Sequence, residues 1–195
     1  AACLAIGMLA LFPWDTRGAG PYRILEKDQH PVNGLSALGR QVYAANRGAW
    51  VCAEGSRIVV FGPALPEVDA LMLEAEYAFG EAGRLLALPD APDRLTIFLV
   101  GDEKSWNRLV SEQGFRPDGL ALHYQNEMYL KNMPARAARV AHEMVHYRLH
   151  KAYGDMALWL DEGLAGYFGM GIARSYAASR GRRLVGQVPA LLAED

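Results

Sequence analysis

The sequence predicts an α+β fold: a small sheet with helices, followed by two consecutive helices. Three observations carry that expectation. Short apolar runs at residues 58–61 and 95–100 have the length of buried strands. Between them, residues 66–88 place apolar side chains at helical spacing. From about residue 132 the helical pattern returns in two stretches, separated at Tyr153-Gly154. A chain of 195 residues with 51% hydrophobic and 22% charged side chains can bury one sizeable core. Its net charge of −2 supplies no basic surface for a polyanion, so nucleic acid is excluded as an expected partner.

Taken in order, Ala1 to Phe12 form an uncharged apolar run closed by Pro13-Trp14-Asp15-Thr16-Arg17. A membrane-spanning helix needs about 20 such residues, so segment 1–14 is expected to be the remnant of a signal or anchor, with a buried first helix as the alternative. With such a start, the remainder is expected outside the cytoplasm, membrane-anchored or secreted. Cys3 and Cys52 form no disulfide framework and lack metal-ligand spacing, although Cys3 could carry a lipid if the start is processed. Residues 15–48 mix Gly, Pro and Asn with short apolar pieces and are expected to be a linker or irregular lead-in. The domain proper is then 49–195.

Within it, Trp50 to Phe61 fits one or two strands ended by Gly62-Pro63. The helix over 66–88 runs through Val68, Leu71, Met72, Ala75, Phe79 and Ala82 until Pro89 and Pro92, with Glu67, Asp69, Glu74, Glu76 and Glu81 as its solvated face. Leu95 to Val100 is a buried strand and Asp102 to Val110 a short helix. Gly119 to Leu130 reads as a hairpin or one bent strand turning at Gln125-Asn126-Glu127, with His123 and Tyr124 as its polar groups. After Tyr167 the chain carries Gly169, Gly171 and Arg174, Arg180, Arg182 and Arg183, expected as solvated helix and loop. There are no internal repeats.

The chemistry gathers at His142-Glu143-Met144-Val145-His146. On a helix, residues four apart lie about 40° round and about 6 Å up, so His142 and His146 can aim ring nitrogens at one point. Two neutral imidazoles suit Zn²⁺, and a catalytic zinc takes three protein ligands with a fourth position left to water. Glu143 between them is the candidate general base toward that water. The third ligand is expected in Leu158-Trp159-Leu160-Asp161-Glu162-Gly163-Leu164-Ala165. A first helix capped near Asn132, with Pro134 in its first turn, overshoots His146 and stops at Gly154. A second, capped by Asp155, climbs back at about 1.5 Å per residue and returns Glu162 to the level of His146. Gly163 and Gly166 would let the two helices approach closely. His150 falls on the same stripe as the other two histidines, but about 12 Å along the axis from His142 it is too far to share one centre and is expected beside the site or on the surface.

These residues resemble the gluzincin metallopeptidases, in which the Glu of a W-L-x-E-G-x-A segment completes a zinc site begun by H-E-x-x-H. The resemblance is specific over about residues 132–168, and a looser likeness to peptidase MA-like domains reaches back to about Ile58. It implies a zincin-like fold with an active-site helix and a second, Glu-bearing helix. It also implies a zinc-dependent peptidase acting on a peptide or protein, with His142, His146 and Glu162 as ligands and Glu143 as base. The spacing from His146 to Glu162 is shorter than in the large aminopeptidases with a similar segment. Thermolysin-like enzymes carry an orienting Asp where this chain has Gly166, which leaves the orienting partner of His142 unidentified. In this group the strand before the zinc helix rims the cleft and can pair with extended substrate. His123, Tyr124, Tyr167 and Tyr176 are the candidate oxyanion donors. Two other classes fit the same residues: a zinc-binding interaction module without turnover, against which Glu143 argues, and a hydrolase of non-peptide amides.

Overall fold

Alternation along the strands divides the molecule between two cores, one on each face of a single sheet. The computed structural model of the chain describes residues 22–46, 48–91, 93–112, 114, 120–133 and 136–191, with side chains described up to residue 180. The strands are β1 (Arg23–Leu25), β2 (Val51–Glu54), β3 (Ile58–Gly62), β4 (Leu95–Val100), β5 (Ala121–Tyr124) and β6 (Glu127–Lys131). They form one six-stranded sheet in the order β1-β2-β3-β4-β6-β5. The central strands β3, β4 and β6 are parallel, while β1, β2 and β5 are antiparallel to their neighbours.

The central register explains the two cores. Val60, Ile97 and Met128 lie side by side, and so do Phe61, Phe98 and Tyr129 one residue further on. Because successive side chains point to opposite faces, the first row meets helices α2 (Leu65–Leu85), α4 (Arg136–Tyr153) and α5 (Leu158–Leu191). The second row meets α1 (Ala37–Asn46) and α3 (Glu103–Glu112). There the rings of Phe61, Phe98 and Tyr129 stack with centroids 5.1 and 5.0 Å apart. The mixed α and β architecture expected from the apolar runs is therefore present, and of the expected hairpin the described part, Ala121 to Leu130, is one, turning through Gln125, whose φ is 56°.

Several expectations change. The lead-in over 15–48 is, from residue 22, part of the fold: Leu25, Leu35, Leu38 and Tyr43 are buried in the second core. The backbone N–H and hydroxyl of Ser36 both donate to the buried carboxylate of Glu127, at 2.6 Å each, tying this segment to β6. Glu74 does not belong to a solvated face, because it is 9% exposed and accepts from Arg136 at 3.0 Å. Helix α4 starts at Arg136 instead of near Asn132, whose N–H donates to the Val100 carbonyl and so prolongs the sheet. Pro134 lies outside the described residues. The C-terminal stop is as expected: Gly154 has φ 73° and its N–H closes on the His150 carbonyl at 2.9 Å. Asp155 does not cap α5, since the first turn closes on the Ala157 carbonyl, which accepts from Leu160 and Asp161. In place of helix and loop after Tyr167, α5 runs on to Leu191.

Segment 1–14, with Cys3, lies outside the described residues, as do the side chains of Arg182 and Arg183. Among the described residues no helix is long and apolar enough to cross a membrane.

Candidate metal centre

Helix α4 is sandwiched between α2, α5 and the sheet, and its outer edge carries His146 and His150 into a cleft of about 620 Å³. The four-residue spacing brings Nε2 of His142 and Nε2 of His146 to 3.1 Å. Glu162 arrives from α5 with Oε2 3.5 Å from His142 Nε2 and Oε1 3.8 Å from His146 Nε2. Tetrahedral ligands on bonds of about 2.0 to 2.1 Å stand about 3.3 to 3.4 Å apart; the histidine pair is near that spacing at 3.1 Å, and one ligand atom from each of the three residues falls within 4.8 Å of the others. Burial, the largest cause, holds His142 below the ordinary imidazole value and favours the neutral ring that a metal requires.

The close approach that allows this meeting is not made at Gly163 or Gly166, where an added Cβ would meet open space. It is made at Gly169, whose Cβ would fall 2.8 Å from the Cα of His142 and 2.9 Å from its N. Gly169 lies two turns beyond Glu162, on the side of α5 that faces α4, and the helical period makes it the inner glycine.

Glu143 is held both from the sheet and from its own helix. It is 7% exposed, and both of its oxygens are held: His123 Nε2 on β5 donates to Oε2 at 2.8 Å, and Arg139 donates to Oε1 at 3.1 Å. Burial pushes this carboxyl up, but His123, His142 and Arg139 together outweigh it and leave the group below the usual carboxylate value. Arg139 escaped the sequence reading. The signal was present in its spacing, because an Arg four residues before a Glu on a helix is a standard pair.

Of the oxyanion candidates, His123 lines the cleft together with Glu143, His146 and Glu162. Tyr167 is 77% exposed and lines a different groove with Met170, while Tyr176 packs on Tyr77 with ring centroids 5.2 Å apart. Tyr124 is 39% exposed at the hairpin end.

His150 does not meet His142. Its Nε2 donates to Asp161 Oδ2 at 2.9 Å. Asp161 is 8% exposed, and its other oxygen, Oδ1, stands 2.8 Å from His146 Nδ1, close but off the line of a well-aligned N–H donor. Burial raises the Asp161 carboxyl, and the two histidines more than reverse that. His146, His150 and Asp161 thus make a second set whose ligand atoms lie within 4.8 Å of one another, sharing His146 with the set of His142, His146 and Glu162.

No protein-family model matches the chain, and neither does any curated protein. Its chemistry is read from the site alone.

Proposed function

We propose that the chain is a zinc-dependent peptidase of the gluzincin type, built on a zincin-like arrangement of sheet and helices. The observation that carries this is the convergence of His142, His146 and Glu162, whose ligand atoms lie within 4.8 Å of one another, with the buried carboxylate of Glu143 lining one cleft with His146 and Glu162. Among the described residues three protein ligands converge on this point, which matches a catalytic zinc more closely than a structural one.

A zinc ion bound there supplies a Lewis acid and a water of lowered pKa. Glu143, ionised and aimed by His123 and Arg139, takes the proton of the attacking water and afterwards gives it to the departing amine. Of the candidate oxyanion donors, His123 on β5 lines the same cleft as Glu143 and Glu162, with its Nε2 engaged by Glu143. Among the described strands β5 is outermost, and its free edge there is one to which an extended peptide can add. The apolar run at residues 1–12 supports placing this activity outside the cytoplasm, tethered to a membrane.

Metal analysis of the purified chain, together with cleavage of a broad peptide library and of simple amides, tests the proposal. About one zinc per chain is expected. It should be retained by Glu143→Ala with cleavage reduced at least about 100-fold, and largely lost in His142→Ala and His146→Ala. Full metal content after both histidine changes would sink the site. Turnover of amides but not of peptides would move the chain to the other hydrolase class.

A further inference from the structure

Adjacent residues on α5 bracket one imidazole. Glu162 faces Nε2 of His146 across the cleft, while Asp161, one residue earlier and about 100° round the helix, lies beneath the ring and faces Nδ1. A buried carboxylate oxygen without a donor is costly, and Asp161 divides its needs unequally. Oδ2 is satisfied by His150. Oδ1 has no aligned donor, and the group it faces is Nδ1 of His146 at 2.8 Å. A ring that presents a bare Nδ1 would set two lone pairs against each other in a buried place. A ring that carries its proton on Nδ1 satisfies the oxygen and leaves Nε2 free to ligate, on the side where His142 and Glu162 wait.

We propose that Asp161 is the positioning residue of the metal site, holding His146 in its Nδ1–H form so that Nε2 ligates, with His150 bracing the carboxylate from the other side. The proposal rests on the assignment of His142, His146 and Glu162 as ligands. It gives the Asp161-Glu162 pair two tasks, orienting one histidine and completing the site. It also fills the need left by Gly166, where no carboxylate is available, though for the second histidine and not the first. The second set of possible ligands, His146, His150 and Asp161, cannot be occupied together with the first while His146 keeps a proton on Nδ1. It is the rival that the test must separate.

The experiment uses the whole chain labelled with 15N-histidine, and long-range 1H–15N spectra at a pH where the rings are neutral, with and without zinc. His146 is assigned by comparison with His146→Gln. The expected result is the Nδ1–H form of His146 in both states. Asp161→Asn and the near-isosteric Asp161→Leu should give mixed or reversed tautomers. Zinc affinity, read by chelator competition, should weaken about 10- to 100-fold. His150→Ala removes the brace and not the ligand, so it should still bind one zinc, with affinity weakened less than in either Asp161 variant. Unchanged tautomer and affinity in both Asp161 variants would overturn the proposal. So would loss of zinc in His150→Ala with retention in Glu162→Gln, because the metal would then sit in the rival set. The metal-free spectra separate this from the peptidase assignment: a chain that binds no zinc yet shows an Asp161-dependent Nδ1–H form overturns the enzyme and leaves the positioning of His146 standing.

Discussion

Replacing Gly169 by alanine should part the two helices that hold the site. The new methyl would lie 2.8 and 2.9 Å from backbone atoms of His142, which cannot swing aside as a side chain can. Carbon atoms pack best at about 3.5 to 4.0 Å, so α5 must retreat from α4 by roughly 0.7 Å or more. Overpacking of this kind costs about 1–3 kcal/mol. The alanine returns about 1 kcal/mol through its helix propensity, so the net change runs from neutral to about 2 kcal/mol destabilising. Gly163→Ala and Gly166→Ala provide matched controls, since their methyls meet nothing within 4 Å. They should stabilise by about 1 kcal/mol, a rise in Tm of roughly 2–4 °C. Glu162 rides on the same helix two turns away, so the shift should also weaken zinc binding and, through misplacement approaching 1 Å, reduce cleavage by up to about 100-fold. Denaturant unfolding and zinc competition on the three variants give the comparison. If Gly169→Ala gains as much stability as Gly166→Ala and binds zinc like the parent, the packing argument is wrong.

Two further perturbations test the scaffold. Hydrogen bonding from Arg23, reinforced by Arg94, outweighs burial and holds the Glu54 carboxyl below its ordinary value of 4.5. A depressed carboxyl stabilises the fold above that value and loses its contribution as pH falls through and below it. The stability difference between the parent and Glu54→Gln should therefore shrink on acidification from pH 7 toward pH 3, and a pH-independent difference would refute it. Glu74→Gln removes the partner of Arg136 where both side chains are nearly covered, at 9% and 12% exposure. Breaking such a pair costs roughly 3 kcal/mol, and Glu74→Leu combined with Arg136→Met should recover most of it. A single change costing under about 1 kcal/mol would show the pair to be effectively solvated.

The parts of the fold legible in the sequence were those whose signal is local. Leu95–Val100 could be read to the residue because an unbroken apolar run between breakers has one interpretation, and α2 followed from its period. The triad of His142, His146 and Glu162 was legible because helix geometry converts spacing into proximity, and the positive-φ Gly154 marks where α4 must end. The remainder depends on distant partners. Three residues of β1 and the pieces around α1 are too short to carry a period; β1 is placed by pairing with β2, and the segment before α1 by Glu127, far along the chain. Glu74 resembles any surface carboxylate until Arg136 is brought over it. Which glycine faces α4 could not be chosen without the rotation of α5, so Gly163 and Gly166 drew attention that belonged to Gly169. Asp161 hid for the same reason, its neighbour having the more familiar role.

The shortness of the outer strand bears on selectivity. Strand β5 spans four residues, and in an antiparallel ladder only alternate residues turn their N–H and C=O outward. A peptide laid against it would find about two residues with which to exchange main-chain bonds, too little to register a long sequence. Such an enzyme would grip its substrate weakly by the backbone and choose it by access: it would cut chains that are already unfolded or loosely held near it, and pass over the same bonds inside a folded protein.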